Sequence, residues 1–291
     1  MKKDINAYHR PDTIRDAIDL LEEDPSGRVV LAGGTHLVPE EIEQYEEVVD
    51  IQDLDLSDLA HSNRTVEIGA LVTVAQLQKS ELLSDSNLDV VQQAALDKPS
   101  QLIRNQATVG GEIGRGGSGS ELAAVFLALE ANVVLTNENG SRECSLKNVY
   151  GDNGETKLGS SEIITRIELS VPAEEDQLFY DRLSRTENDV SLGHLAFWGR
   201  PENGGYEDVR LVVGGVTDAP RRMKKVEALV KETVEFDRET LDAIRDRLAE
   251  ELSPPDDFRA SAEYRLDVLQ TFLERALVST DDIPFESNGY G

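Results

Sequence analysis

The chain has 291 residues with 57 acids against 29 bases, a net charge of −28, and this balance excludes a nucleic-acid binder, because phosphate recognition needs a positive face and no Lys/Arg cluster of useful size is present. Anionic membrane surfaces are disfavoured for the same reason, and no stretch approaches the roughly 18 apolar residues that cross a bilayer. The length exceeds the usual single domain, so two or three packed domains with real cores are expected. The acids are spread along the whole chain and the bases are 20 Arg to 9 Lys, the pattern of a protein bathed in concentrated salt. At molar salt the Debye length falls to about 3 Å and such a surface no longer repels itself. One cysteine, Cys144, cannot form an internal disulfide, nor hold an iron–sulfur cluster or thiolate zinc site without partners from elsewhere. The N-terminus lacks an apolar signal core, so a cytoplasmic protein is expected.

In chain order, Asp12 and Thr13 precede a helix-spaced stripe of Ile14, Ala17, Ile18 and Leu21, and Pro25, Ser26 and Gly27 end it before a buried strand at 28–32. That strand breaks into Gly33, Gly34, Thr35 and His36, and a short strand, Val48 to Ile51, follows. The polar, acidic stretch from Asp53 to Asn63 has no period and reads as a boundary. Next come a strand from Thr65 to Leu71, then Thr73 and Gln76 in a capping box that opens a helix to about Leu83. A second helix is expected from Leu88 to Leu96, interrupted by Lys98, Pro99 and Ser100.

Six glycines fall between Gly110 and Gly119, followed by an amphipathic helix at 120–130, which Ser118 and Glu121 can cap, and by a strand from Ala131 to Thr136. Strands near 141–146 and 162–171 close the region. Beyond the acidic run at 174–176, strands at 177–184, 192–199 and 207–216 have hairpin-like spacing, and helices are expected at 220–232, 239–252 and 261–278. The last of these carries Val268, Leu269, Phe272, Leu273 and Ala276 on one face, and the tail from Ser279 is polar. The divisions implied are 1–56, 57–173 and 174–280, with a tail at 281–291.

Two glycine-rich turns can clasp one anionic ligand, since glycine lets successive backbone N–H groups face one point and the start of a helix adds unpaired donors. A phosphate or diphosphate suits such a cradle. Gly114 to Gly119 formally match G-x-G-x-x-G, with Glu138 about 20 residues on, but no buried strand leads straight into the first glycine as a Rossmann turn requires. The same lack of a strand argues against a nucleophile elbow at Ser118, and His9, His36, His61 and His194 show no metal spacing.

At these turns the sequence resembles a known family. Leu31-Ala-Gly-Gly-Thr-His-Leu-Val-Pro39 is similar to A-G-G-T-D-L-(L/I)-P, and Ile103-Arg-Asn-Gln-Ala-Thr-Val-Gly-Gly-Glu-Ile113 to I-R-N-x-A-T-(I/V)-G-G-N-I, of the FAD-binding medium subunits of molybdenum hydroxylases, the xanthine dehydrogenase and carbon monoxide dehydrogenase type. The likeness continues through Ser120 to Ala131, Val213 to Val216 and Asp257 to Arg265.

The resemblance implies an α+β protein of the vanillyl-alcohol-oxidase (PCMH) type, in which two α/β subdomains hold FAD and a C-terminal domain has a three-stranded antiparallel sheet and helices. It assigns the diphosphate to Ala32, Gly33, Gly34, Thr35, His36 and Leu37 together with Thr108, Gly110 and Gly111. Ile164, Phe179 and Tyr180 are candidates by position to face the flavin ring. The implied role is electron relay, with partners that carry the molybdenum cofactor (a large subunit) and 2Fe-2S clusters (a small subunit) in a hetero-oligomer.

The match departs from the pattern after Gly111, where the family reads N-I-x-x-A-(S/D)-P-x-(S/A)-D. Glu112 replaces an amide with a like charge beside the diphosphate, Ser118 replaces proline, and Glu121 lengthens the acid that would meet a cofactor hydroxyl. Arg115 is an added cation that offsets Glu112 or binds phosphate itself. Extra glycines raise the entropic cost of ordering the loop. Two alternatives follow: a scaffold of the same shape that has lost tight FAD binding, and a stand-alone flavin oxidoreductase.

Overall fold

The computed structural model describes residues 5–98, 100–117, 119–151, 154–186 and 189–278, so the polar tail lies outside the described residues. Thr13 is extended at φ −135° and accepts the Asp16 N–H, which starts α1 (Ile14–Glu23) with Ala17, Ile18 and Leu21 buried. The first sheet is parallel, with β3 (Glu47–Asp50) between β1 (Ala7–His9) and β2 (Arg28–Leu31). Strand β1 is not anticipated by the sequence, since three residues with none buried carry no alternation to read. Between β2 and β3 the chain makes a π-helical turn over Leu37–Glu41 and a 3-10 turn over Ile42–Gln44.

A second, antiparallel sheet contains β4 (Leu59–Ser62), β5 (Thr65–Gly69), β6 (Asn132–Asn137), β7 (Gly140–Ser145) and β8 (Ile163–Ser170) in the order β4-β5-β8-β6-β7. Strand β4 lies inside the stretch read as an aperiodic boundary. It is an edge strand whose Ala60, His61 and Ser62 are all exposed, so no apolar alternation marks it.

Among the described residues the α-helices that join these strands are α2 (Val74–Gln78), α3 (Glu81–Asp85), α4 (Asp89–Leu96), α5 (Gln101–Arg104), α6 (Val109–Arg115) and α7 (Glu121–Ala128). The single helix expected from Thr73 to Leu83 is two, because Ser80 caps a fresh start by accepting the Leu83 N–H. The capping box forms as expected, with the Gln76 N–H donating to Thr73 Oγ1 at 3.2 Å and the Thr73 N–H to Gln76 Oε1 at 2.7 Å. Thr73→Ala is therefore expected to cost about 1 kcal/mol in denaturant unfolding. An unchanged midpoint would show that the cap contributes nothing.

Two expectations about the glycine region are corrected. Residues from Val109 to Arg115 form a helix and not a loose loop, because Thr108 caps it, accepting the Gly111 N–H, and Val109 and Ile113 are buried. Helix α7 is not amphipathic: every residue from Glu121 to Ala128 is buried, since it lies between α4 and the third sheet. Its cap is Ser120, which accepts the Ala123 N–H, and Ser118 lies outside the described residues.

That third sheet is antiparallel in the order β12-β11-β10-β9, from β9 (Gln177–Leu183), β10 (Gly193–Glu202), β11 (Gly205–Gly214) and the two-residue β12 (Arg221–Arg222). Its period-2 alternation sends Tyr180, Ala196, Trp198 and Val212 into the core around α7. Leu195, Phe197, Leu211 and Val213 face the opposite way, onto α8 (Lys224–Glu232), α9 (Arg238–Glu251) and α10 (Ala262–Leu277). On α10 the stripe of Leu269, Phe272, Leu273 and Ala276 is buried, while Val268 is only partly covered. Arg265, 1% exposed, donates to Leu192 O at 2.7 Å and to Asp257 Oδ1 at 2.8 Å, tying α10 to the start of β10. Among the described residues no helix is long and apolar enough to cross a membrane.

Candidate functional site

The exit of β2 and the start of α6 meet at Gly33. A Cβ there would lie 1.9 Å from Gln106 O, so only glycine allows the two segments to touch. Gly110 is pressed as closely against the end of β5, where a Cβ would fall 2.7 Å from Ala70 Cβ. These two contacts bring the glycine turns, 73 or more positions apart in sequence, to one cleft of about 370 Å³. Such a volume is within the range of small-molecule sites. Ala32, Gly33, Gly34, Thr35, His36, Leu37, Thr108, Gly110, Gly111, Glu112, Arg115 and Ile164 all line it.

The two turns contribute differently. Among the described residues the backbone N–H groups of Gly33, Gly34 and Thr35 have no acceptor, which leaves three donors at the cleft wall. On the second turn the Val109 N–H donates to Val72 O at 2.9 Å, the Gly110 N–H to Ala70 O at 2.8 Å and the Gly111 N–H to Thr108 Oγ1 at 3.2 Å. That turn supplies a floor without side chains in place of a row of free donors.

Charge in the cleft is balanced by residues that sequence reasoning did not pair. Glu112 is 5% exposed and receives Lys98 Nζ at 2.6 Å and Ser120 Oγ at 3.3 Å. Lys98, and not Arg115, therefore offsets Glu112. Arg115 is exposed at the rim and makes no ion pair among the described residues. Glu162 accepts Arg142 through both oxygens, at 2.8 and 2.9 Å, which holds its carboxyl below the ordinary range, and it also accepts the Gly159 N–H at 2.9 Å. Arg28 is bound by Glu47 at 2.5 Å and by Glu23 at 2.8 Å.

Glu121 is not brought to the cleft. It is buried under the third sheet, 3.7 Å from Arg182 Nη1, and burial raises its carboxyl pKa. Arg182 also reaches Asp97 at 3.2 Å, and the Tyr180 hydroxyl donates to the same Asp97 at 2.9 Å. Of the three residues considered for the flavin ring, Ile164 lines the cleft, Tyr180 belongs to this polar cluster, and Phe179 packs on the opposite side of the sheet. Lining residues that the sequence did not suggest include Arg28, Tyr45, Leu158, Gly159, Ser160 and Glu162. The 158–162 segment carries no motif, and its place follows from where β8 begins.

Residues 3–173 match the family described as the FAD binding domain in molybdopterin dehydrogenase, and residues 179–280 match the CO dehydrogenase flavoprotein C-terminal domain. The chain is 26% identical to the glyceraldehyde dehydrogenase medium chain of Sulfolobus acidocaldarius, over 93% of this chain and 96% of that one. It is 28% identical to the carbon monoxide dehydrogenase medium chain of Afipia carboxidovorans, over 93% and 94%. Among solved structures it is similar to the carbon monoxide dehydrogenase of Hydrogenophaga pseudoflava that lacks the Mo-pyranopterin moiety, with a TM-score of 0.88 and 26% identity over 95% of this chain and 97% of that one. The fold is thus the α+β, PCMH-type arrangement implied by the glycine motifs. Taken with the cleft that those motifs form, these matches establish that the chain belongs to the FAD-binding medium subunits of the molybdopterin dehydrogenases.

Proposed function

We propose that FAD lies in this cleft with its diphosphate against the β2 exit, on the N–H groups of Gly33, Gly34 and Thr35, and across the bare floor at Gly110 and Gly111. The observation that carries this reading is the contact of Gly33 with the Gln106 carbonyl, which makes one cradle of two distant turns. The residues fit the group. A diphosphate needs unpaired donors, a nearby cation and no Cβ in its path, and these are met by the three N–H groups, the Arg115 guanidinium and the two glycines. Ala32, His36, Leu37, Thr108 and Ile164 complete the wall.

FAD, when bound, supplies exchange of one or two electrons, and the protein supplies binding and electrostatic environment. Glu162, kept anionic by Arg142, holds the 158–162 segment through Gly159 and so shapes the far side of the cleft. Glu112 stays neutralised by Lys98, which removes the like-charge objection behind a scaffold that has lost its cofactor. In this reading residues 1–56 and 57–173 are the halves that close on FAD, and 174–280 form the C-terminal domain. The chain acts in the cytoplasm as the flavin station of a hetero-oligomer, beside a large subunit with the molybdenum cofactor and a small subunit with 2Fe-2S clusters. Relatives that match 93% or more of this chain are subunits of enzymes named for glyceraldehyde, nicotine and carbon monoxide, so the substrate is chosen outside this chain.

The test is an absorption spectrum of protein purified in multimolar salt, with the released cofactor identified after denaturation. Stoichiometric FAD is expected. No flavin after incubation with excess FAD would overturn the site, and failure to co-purify with large and small partner subunits would overturn the assembly.

A further inference from the structure

At position 112 this chain carries a carboxylate where the family pattern has asparagine, and that residue lines the cleft. A bare carboxylate there would repel a diphosphate, and its burial leaves water little room to screen it. The side chain is 6% exposed, and its Oε2 is held 2.6 Å from Lys98 Nζ, itself 11% exposed. We infer that Lys98, which does not line the cleft, is a positioning residue for the cofactor: it holds the Glu112 carboxylate in a buried, neutral pair and so lets this site accept a diphosphate despite the exchange of amide for acid. The inference rests on the FAD reading above.

Four further contacts hold the pair in place. Ser120 Oγ donates to the same Glu112 oxygen at 3.3 Å, from the cap of α7. Arg104 Nη1 donates to the Lys98 carbonyl at 2.8 Å, which anchors the backbone that presents the ammonium. The preceding residue, Asp97, is held by Tyr180 and Arg182 of the third sheet. The other titratable groups that feel this charge are Glu121, which shares the influence of Lys98 and Arg182, and the Tyr150 phenol, which burial and Glu112 keep protonated. Arg115 is exposed and makes no ion pair with Glu112, so it is not needed for the pairing. Because both partners are desolvated, molar salt does not replace Lys98 as it would a surface cation.

The test measures FAD dissociation constants of the full chain in multimolar salt by quenching of flavin fluorescence, with wild type read first. Uptake by wild type upholds the site, and only then do the variants bear on Lys98; a wild type that takes up no FAD overturns both. Lys98→Met is expected to weaken binding by about tenfold or more, since a buried carboxylate is left without its partner beside the diphosphate. Adding Glu112→Asn to that variant is expected to restore binding to within about threefold of wild type, a rescue that assigns the loss to the unpaired acid and not to the missing lysine itself. Glu112→Asn alone is expected to bind more tightly than wild type, because Lys98 is then free to attract the phosphates. Lys98→Met binding like wild type, or a double variant no better than Lys98→Met, would overturn the inference. Should Lys98→Met fail to fold by circular dichroism, Glu112→Asn alone decides: tighter binding upholds the role and equal or weaker binding overturns it.

Discussion

Gly33→Ala is expected to leave the protein without retained flavin. The added methyl would sit 1.9 Å from the Gln106 carbonyl oxygen and 2.7 Å from its carbon, and both are backbone atoms that no rotamer change can move aside. Relief requires the exit of β2 to shift away from the 103–108 segment by more than an ångström. That shift carries the N–H groups of Gly33, Gly34 and Thr35 away from the floor at Gly110, and the two halves of the cradle no longer face one ligand. Overpacking of this kind costs about 1–3 kcal/mol of stability, which a chain of this size survives. The loss should therefore appear as a colourless but folded protein, read by flavin absorbance and circular dichroism on one sample. Wild-type FAD stoichiometry in Gly33→Ala would mean that the two turns do not meet as described.

The second large effect concerns acid. His194 is 0% exposed; its Nδ1 lies 3.2 Å from Ser191 Oγ, and its Nε2 has no partner among the described residues. Burial, with a smaller contribution from Arg182, pushes its pKa down from 6.5 to about 3. The unfolded chain takes up a proton as pH falls through 6.5, whereas the folded chain does not until about 3. Stability attributable to this residue is thus whole above 6.5 and is lost as pH falls, at about 1.4 kcal/mol per pH unit across that window.

Trp198 is the chain's single tryptophan and lies in β10, the strand that carries His194, so its fluorescence reports unfolding of this sheet. Denaturant midpoints between neutral pH and about 4.5 should fall more steeply for wild type than for His194→Gln, which has nothing to protonate there. Carboxylates held low by partners, such as Glu47 and Glu162, lose their contribution at lower pH in both proteins and cancel in the comparison. Parallel profiles would show that His194 is not buried neutral.

How much of the site could be read from the chain differs residue by residue. The β2 turn and the 103–113 segment were legible because glycine pairs, a capping threonine and a flanking apolar run are local signals, and all of Ala32 to Leu37 line the cleft. Glu121 differs, since an acid beside a glycine-rich run reads as a ligand, whereas in the fold α7 is buried along its whole length and the carboxylate lies near Arg182 of the third sheet. Closeness in sequence points to Arg115 as a counter-charge for Glu112 or a phosphate ligand, while the partner of Glu112 is Lys98, which comes from the other side of α5 and is close only in space. Strands β1 and β4 escaped notice because edge strands with exposed side chains need no apolar alternation.

By itself the sequence determined the elements whose cause is local: the caps at Thr13 and Thr73, the alternating strands β9 to β11, the stripe of α10 and the two glycine turns. It also determined the surface, since the excess of acids over bases is a property of composition. Only the tertiary structure decided which charges neutralise one another and which donors lack an acceptor among the described residues, as with Lys98 on Glu112, Arg142 on Glu162 and the N–H groups of Gly33 to Thr35. The reason is physical. Caps and periodicity act over one turn or one strand, but an ion pair or a close backbone approach is settled by distance after packing, and packing brings together residues whose separation along the chain says nothing of it.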